Sequence, residues 1–184
     1  LQQGMAEIYK ALSEAFTGQR IVKALFNDLD FKSEYSLGAV NSINWARILA
    51  QTVYYFYAWG RVSGGNPERR VSFAVPTGNF GDIYAGYLAK KMGLPVNQLV
   101  IATNRNDILH RFMSQNQYNL APLEHTLSPS MDITVSSNFE RLLFDLYDRD
   151  GAAIADLMAR FDDGDIAFSE PAMARARELF ASHR

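Results

Sequence analysis

The feature that most constrains the fold is a glycine turn placed between an apolar run and a helical pattern. Residues 71–75 read Val-Ser-Phe-Ala-Val, a run typical of a short buried strand. Pro-Thr-Gly-Asn-Phe-Gly follows at 76–81, and residues 82–92 then carry helical spacing. A second apolar run at 99–102 predicts another strand. Strand, helix and strand at this spacing predict a parallel βαβ unit. Its first loop leaves the carboxyl end of a strand, where open α/β sheets bind ligands.

The residues of this turn are suited to holding an anion. Gly78 and Gly81 let the backbone curl tightly and leave peptide N–H groups free. The helix that starts behind them adds the positive end of its dipole. Thr77 and Asn79 add side-chain donors, whereas Asp82 either favours the helix start by its charge or meets the ligand through an intervening donor. The turn therefore predicts a phosphate site, although the glycines of many strand–helix turns serve geometry alone.

Composition excludes several classes of protein. The 184 residues are 48% hydrophobic and 21% charged, which is globular composition. The net charge of −2 argues against nucleic acid as a partner, and the run from Ile48 to Gly60 is too short to span a membrane. The absence of cysteine excludes disulfides and thiolate metal sites and fits a cytoplasmic protein. Because the chain starts at Leu1 rather than at a methionine, we expect it to be a piece of a longer protein.

Amphipathic patterns predict helices along the rest of the chain. The strongest spans Asn41–Arg61, where two adjacent apolar stripes predict a helix buried over most of its circumference. Further helices are expected at 5–16, at 21–26, after a cap at Asn106, after a Ser137–Glu140 capping box, and in two weaker segments, the last opening at Ser169 with Pro171. The polar, turn-rich residues 114–135 predict a long functional loop.

Polar residues open the strongest of these helices. Asn44 and Arg47 are three residues apart and share a face, so they are candidates for binding an anionic substrate. An alternative is equally consistent with the pattern. In it, Asn41 or Ser42 is the N-cap of the helix and Arg47 pairs with a carboxylate.

Two serine-containing segments and the histidines are weaker candidates. Residues 128–132 (Ser-Pro-Ser-Met-Asp) and 136–138 (Ser-Ser-Asn) either line a cleft or form a turn and a helix cap. Asp162–Asp165 lacks the alternation of a calcium loop and predicts a turn. The histidines have no metal-ligand spacing and favour surface or capping roles, so no metal site is predicted: His110, His125 and His183.

Three of these segments together resemble the threonine synthases of the longer bacterial and fungal type. They are Asn-Ser-Ile-Asn-Trp-Ala-Arg at 41–47, the residues from Pro76 to Gly86 with Thr-Gly-Asn-Phe-Gly-Asp, and the residues from Leu127 to Leu143 with Ser-Pro-Ser-Met-Asp. Their combination is specific, whereas any one of them alone is not. The likeness extends from residue 21 to the end and is closest over 21–150.

The resemblance implies an α/β fold of fold type II among the pyridoxal-phosphate enzymes, similar to the tryptophan synthase β subunit. It implies a carbon–oxygen lyase acting on phosphates, with pyridoxal 5'-phosphate as cofactor. The family converts O-phospho-L-homoserine and water to L-threonine and phosphate. Its glycine loop holds the cofactor phosphate, a role that falls here on Gly78, Asn79, Phe80, Gly81 and Asp82.

The main departure from the family concerns the lysine that binds the cofactor covalently. None of the chain's lysines stands in the family's motif: Lys10, Lys23, Lys32, Lys90 and Lys91. The last two fall on the polar side of what the spacing predicts to be a surface helix. The family's upstream cofactor loop and its partner for the pyridine nitrogen are not matched either.

We therefore expect residues 1–184 to be one domain-sized middle piece of the enzyme, inactive alone. Two alternatives stay open: a non-catalytic module that binds a phosphate or cofactor, and another fold-type-II lyase or dehydratase.

Overall fold

A parallel three-stranded sheet organises the larger of the chain's two units, residues 40–184. Its strands, in the spatial order β1-β2-β3, are Val71–Pro76, Val96–Ala102 and Phe180–His183. β1 and β2 run parallel with Val75 opposite Ile101, and β2 and β3 run parallel with Leu99 opposite Phe180. The parallel βαβ unit and the α/β fold class predicted from the sequence are confirmed.

The structure, a computed structural model, describes residues 24–25, 27–36, 42–162 and 166–184. The smaller unit comprises residues 1–39, and its helix α1 (Leu29–Glu34) begins where the Asp28 carboxylate accepts a hydrogen bond from the Phe31 N–H at 3.0 Å. Several predictions lie outside the described residues: the helix at 5–16, most of the helix at 21–26, the cap at Asn41 and most of the turn at 162–165. That residues 1–184 form one domain-sized piece stays a prediction.

Helices and one long loop connect the strands of the larger unit. The helices are α2 (Trp45–Ser63), α3 (Gly81–Lys91), α4 (Ile108–Gln115), α5 (Phe139–Leu146), α6 (Gly151–Asp162) and α7 (Glu170–Leu179). As predicted, α7 starts after Ser169 with Pro171 in its first turn. The loop between α4 and α5 contains a short 3₁₀ turn at Pro129–Met131 and agrees with the loop predicted at 114–135. Among the described residues, no helix combines the length and apolarity needed to cross a membrane.

Helix α3 lies inside this unit, where it packs against α2, β2 and α5. Its buried residues are Ile83, Tyr84, Ala85, Gly86, Tyr87 and Ala89. The interpretation of this segment as a surface helix is therefore wrong, because its small residues let neighbouring elements approach on several sides. At the closest approach, the Tyr55 ring of α2 lies against Gly86, and the Tyr55 hydroxyl donates to the Asp82 carbonyl at 2.9 Å. This hydrogen bond ties α2 to the first turn of α3.

A cluster of aromatic rings forms the core below the glycine turn. Phe139 is fully buried, with the rings of Phe112 and Tyr118 both at 4.7 Å and that of Phe80 at 5.5 Å. Phe180 of β3 lies 5.7 Å from Phe80. Such ring pairs stabilise a core beyond the area they bury. The apolar faces predicted for α4 and α5 are buried in full: Ile108, Leu109, Phe112, Met113, Phe139, Leu142, Leu143 and Leu146.

Helix α2 differs from its prediction. Its buried positions are few: Ile48, Thr52, Tyr55 and Ser63. Large apolar residues on its other sides are exposed, including Leu49 at 50% and Tyr57 at 70%. The face that meets α3 and β1 is neither of the two predicted stripes. Apart from the buried Thr52 and the half-buried Trp59, the members of both stripes are exposed: Ile43, Ala46, Ala50, Val53 and Tyr57 in one, and Trp45, Leu49 and Phe56 in the other. The expected burial over most of the circumference is therefore wrong for α2 in this structure.

Two strand predictions change. β2 begins at Val96 rather than at 99, because its pairing with β1 continues past a bulge to Val71. β3 (Phe180–His183) was not predicted. It is four residues long and follows α7 directly, so no turn residue separates the two patterns in the sequence.

Two predicted helix caps also change. α4 begins after Asp107, and the Asn106 side chain instead donates to the Glu124 carbonyl at 2.8 Å. The Ser137–Glu140 capping box does not form, because α5 begins after Asn138. In both places, a side chain that could have capped the helix instead forms a hydrogen bond with a residue far away in the sequence.

Replacing Gly86 with alanine tests the close packing of α2 on α3. The added methyl group would lie 2.5 Å from Tyr55 Cε1, and the ring cannot move away without weakening its hydrogen bond to Asp82. We expect Gly86→Ala to lower the free energy of unfolding by about 1–3 kcal/mol, as overpacking does.

Gly60→Ala in α2 is the matched control, because none of the described residues lies within 4 Å of its added methyl group. There we expect a gain of up to about 1 kcal/mol from helix propensity. Equal effects of the two substitutions in urea unfolding would contradict the packing described.

Candidate functional site

The glycine turn faces a small pocket at the carboxyl end of β1. The pocket has a volume of about 140 Å³. Residues 76–83 line one part of it, and Ser42, Arg47 and Gln51 at the start of α2 line the rest. The two sequence segments singled out for binding are therefore neighbours in space.

Unpaired peptide N–H groups are the main chemical feature of this turn. Within the described part of the chain, none of the five N–H groups from Gly78 to Asp82 donates a hydrogen bond to another residue. The N–H of the next residue, Ile83, makes no hydrogen bond to the described residues either. Beyond this stretch the Thr77 N–H donates to the Ala102 carbonyl at 2.7 Å and the Tyr84 N–H donates to the Phe80 carbonyl at 3.0 Å. Peptide donors without partners at a helix N-terminus form an anion-binding site.

The left-handed residue of the turn is Phe80, whose φ is 63°. Neither Gly78 nor Gly81 has a positive φ, so the expectation that the glycines supply the tight curl is wrong. The Phe80 ring is 1% exposed and packs against Phe139 and Phe180. Burial of the ring holds the backbone in a conformation that residues other than glycine seldom adopt.

The two glycines instead permit close approach of neighbouring segments. A Cβ atom at Gly78 would lie 2.7 Å from Ile133 Cδ1. A Cβ atom at Gly81 would lie 3.4 Å from the Asn138 amide nitrogen and 3.6 Å from the Ser42 carbonyl oxygen. A side chain at Gly78 would therefore push the turn away from Ile133, whereas at Gly81 the Cβ atom makes ordinary contacts and only a larger side chain would displace the turn.

Residues 136–138 hold the turn through hydrogen bonds. The Ser136 hydroxyl donates to the Gly78 carbonyl at 2.6 Å, and the Ser137 hydroxyl donates to Asn79 Oδ1 at 3.2 Å. The Asn138 N–H donates to the Asn79 carbonyl at 3.0 Å. The sequence left open whether this segment lines a cleft or caps a helix. In the structure Asn138 is the N-cap residue of α5, and the serines bind the back of the turn.

Thr77 and Asn79 differ in what they can offer a ligand. The buried Thr77 hydroxyl donates to the Val75 carbonyl at 2.6 Å, so its proton is engaged at the strand end. Asn79 accepts from Ser137 through Oδ1, and its amide hydrogens have no acceptor among the described residues. Asn79 therefore keeps a donor for a ligand, whereas Thr77 fixes the turn. The ligand roles of both residues stay predictions.

Asp82 carries a buried carboxylate oxygen that lacks a partner. Its Oδ1 accepts no hydrogen bond from the residues that the structure describes. Burial raises the pKa of this carboxyl group, because the charged form loses solvent. Asp82 thus gives up its negative charge at a higher pH than an exposed aspartate does, in a pocket otherwise lined by donors.

Arg47 is the basic residue of the pocket. It is exposed, and it makes no ion pair with the residues that the structure describes, so the alternative in which it pairs with a carboxylate is not supported. Asn44 is the N-cap of α2, since its Oδ1 accepts from the Ala46 N–H at 2.9 Å, and the cap predicted at Ser42 is wrong.

The sequence left open whether residues 128–132 line a cleft or form a turn. In the structure they form a turn, which lies behind Gly78. Asp132 cross-links it, accepting from Asn104 Nδ2 at 2.7 Å and from the Thr126 N–H at 2.9 Å. The Thr126 hydrogen bond lowers the pKa of Asp132, which favours the ionised form. A charged acceptor therefore holds this turn in place.

Two residues that support the site from a distance, Asn104 and Tyr55, were not identified from the sequence, because they bond to segments far along the chain and no local pattern marks them. Asn138 was included only as part of the segment 136–138, without its bonds to Ser42 and Asn79. His110 Nδ1 lies 3.0 Å from Ser182 Oγ. No three histidine, aspartate or glutamate side chains converge as metal ligands within the described ranges.

Comparisons with known proteins show which family this chain resembles. No protein-family model matches the chain. The threonine synthase of Pseudomonas aeruginosa is 59% identical over 165 residues, which cover 89% of this chain and 35% of that protein. The threonine synthase of Saccharomyces cerevisiae is 59% identical over 127 residues, covering 68% of this chain and 25% of that protein. The crystal structure of PLP-bound threonine synthase from Brucella melitensis matches with a TM-score of 0.84 at 54% identity, over 90% of this chain and 36% of that one.

The fold is part of a fold-type-II body, the class to which these neighbours belong. Within that class, the chain belongs to the threonine synthase family. It spans about a third of the length of the relatives it matches. The resemblance carried by the three sequence segments is confirmed, and the comparisons support neither of the two alternative functions.

Proposed function

We propose that this chain is the part of a threonine synthase that holds the phosphate group of pyridoxal 5'-phosphate. The observation that carries the proposal is the run of unpaired peptide N–H groups from Gly78 to Asp82 at the start of α3. Hydrogen bonds from such groups to a charged oxygen are about twice as strong as neutral ones. The pocket of about 140 Å³ suits a phosphate group, since pockets for whole small molecules start at about 300 Å³.

The charges around the turn favour a dianion. The N-terminus of α3 contributes its positive dipole end, and Arg47 contributes a cation without an internal partner among the described residues. Asp82 is the opposing charge, and burial raises the pKa of its carboxyl group. We propose that Asn79 adds its side-chain amide to the peptide donors.

The proposed activity of the whole enzyme is that of a carbon–oxygen lyase acting on O-phospho-L-homoserine. Phosphate leaves from Cγ, water adds at Cβ, and L-threonine and phosphate result. When bound, pyridoxal phosphate supplies the electron-withdrawing ring that this replacement needs. The residues of this chain bind and orient: the turn fixes the phosphate end of the cofactor, and Arg47, exposed where α2 borders the pocket, helps to position the anionic substrate beside it. Asn44 sets the start of the helix that carries Arg47.

Covalent attachment of the cofactor is not assigned to a lysine of this chain. The Lys91 ammonium lies 3.5 Å from the Asp145 carboxylate and 5.1 Å from the centre of the Tyr87 ring. Its hydrogen bond with Tyr87 raises its pKa, so it stays protonated and is a poor nucleophile. We propose that the 184-residue chain alone is inactive, and that the enzyme is cytoplasmic and binds neither nucleic acid nor membranes.

Replacing Gly81 with valine in the full-length enzyme tests the phosphate site. A Cβ atom at Gly81 would already be in contact with Asn138 Nδ2 at 3.4 Å and the Ser42 carbonyl at 3.6 Å, so the two γ carbons of valine would crowd these groups, shift the turn and change the common direction of its N–H groups. We expect the dissociation constant for pyridoxal phosphate, measured on the apoenzyme, to rise at least about tenfold. A rise of this size corresponds to the loss of one strong hydrogen bond. Gly60→Ala is the control and should leave it unchanged. Unchanged affinity in Gly81→Val would mean that the turn is only structural.

Replacing Arg47 with alanine tests the proposed role in substrate binding. In this proposal Arg47 binds the substrate equally well in the ground state and in the transition state. Its loss should therefore raise KM for O-phospho-L-homoserine about tenfold and change kcat little. Arg61→Ala is the matched control, since Arg61 is an exposed arginine in the last turn of the same helix and does not line the pocket. Equal KM values for the two variants would remove Arg47 from the substrate site.

A further inference from the structure

Asn138 is a polar residue with no exposed surface, and its side chain joins two segments that border the pocket. Its Nδ2 donates to the Ser42 carbonyl at 2.9 Å and to the Asn79 carbonyl at 3.0 Å. Its Oδ1 accepts from Arg141 Nε at 3.1 Å. Both amide hydrogens and the amide oxygen are therefore engaged. A single side chain connects the glycine turn, the residues before α2, and α5.

Arg141 extends this connection along the segment before α2. Its Nη2 donates to the Ile43 carbonyl at 2.6 Å, and its guanidinium lies 5.6 Å from the centre of the Trp45 ring. Two successive carbonyls, those of Ser42 and Ile43, are thus held by side chains of the same region. Arg47 follows within the next turn of helix, so its backbone is anchored from α5.

The same hydrogen bonds fix the direction of the unpaired donors. In a planar trans peptide group, the carbonyl and the N–H of the next residue point in opposite directions, and the described chain has no cis peptide bond. Asn138 holds the Asn79 carbonyl, so the N–H of Phe80 points away from α5. Ser136 holds the Gly78 carbonyl, so the N–H of Asn79 also points away. Hydrogen bonds accepted by the carbonyl of each peptide group therefore orient the N–H on the opposite side of that group.

We propose that Asn138 is a positioning residue of the phosphate site. It aims the Phe80 N–H at the anion and sets the spacing between the glycine turn and the helix that carries Arg47. This inference rests on the proposed function and adds the residue that makes the site one unit. An amide is required, because only a planar group with two hydrogens on one nitrogen donates to both carbonyls. A carboxylate of the same shape would face both carbonyl oxygens without a donor.

Asn138→Asp in the full-length enzyme tests the inference. The substitution keeps the shape of the side chain and removes both donors. We expect the dissociation constant for pyridoxal phosphate to rise at least about tenfold, because the Ser42 carbonyl loses its partner, the Asn79 carbonyl keeps only the Asn138 main-chain N–H, and a carboxylate now faces both oxygens. We also expect the phosphorus-31 resonance of the bound cofactor to move toward that of the free cofactor, and KM for O-phospho-L-homoserine to rise.

Leu142→Ala is the matched control for a merely structural effect. Leu142 is fully buried on α5, does not line the pocket, and has an apolar side chain that forms no hydrogen bond to the glycine turn. Its truncation leaves a cavity and should lower the melting temperature, while cofactor affinity and the phosphorus resonance stay at wild-type values. Arg141→Lys is the milder variant for the case in which Asn138→Asp does not fold. It loses the bond to Asn138 Oδ1 and should change affinity and resonance in the same direction, by less.

The outcomes separate this inference from the function on which it rests. If the wild-type enzyme binds no pyridoxal phosphate, the proposed function fails, and the role of Asn138 with it. If the wild type binds the cofactor but Asn138→Asp (or, where that does not fold, Arg141→Lys) matches Leu142→Ala in affinity and resonance, Asn138 is only a structural residue. The inference is supported if the Asn138 or Arg141 variant loses cofactor affinity and shows a shifted phosphorus resonance while Leu142→Ala shows neither change.

Discussion

The left-handed backbone of Phe80 is the constraint on which the site depends. This conformation costs a residue other than glycine about 1–2 kcal/mol. Burial of a phenylalanine side chain contributes about 1.5–3 kcal/mol, so anchoring the ring outweighs the backbone cost. Because the Phe80 ring packs on Phe139 and Phe180, the aromatic core holds the turn that exposes the N–H groups. Core and candidate site are therefore parts of one arrangement.

The pocket also depends on how closely two helices approach. Gly86 lets Tyr55 lie against α3, and the Tyr55 hydroxyl then reaches the Asp82 carbonyl. This contact brings the start of α2 to the glycine turn, where Asn138 joins them again through Ser42. Arg47 lies at the pocket because α2 is held both by the Tyr55–Asp82 hydrogen bond and by the Asn138–Ser42 hydrogen bond.

The sequence predicts the parts of this fold that depend on local pattern. Apolar runs and a glycine turn at βαβ spacing are sufficient for the parallel unit, and glycines before a helix are sufficient for an anion site. It does not predict Phe80 as the left-handed residue, because local rules assign that conformation to glycine. It does not predict the role of Asn138, whose partners lie 59 and 96 residues away. β3 is missed because no turn residue separates it from α7 in the sequence. The exposed face of α2 is missed because an apolar pattern indicates a preference for burial and not whether a partner segment covers the face.

We propose that the peptide N–H groups of residues 78–82 bind the cofactor phosphate, and a crystal structure of the full-length enzyme with pyridoxal 5'-phosphate would test this. We expect phosphate oxygens within about 3 Å of several of these peptide nitrogens, the usual hydrogen-bond distance. A cofactor whose phosphate lies elsewhere, with these N–H groups still unpaired, would contradict the claim.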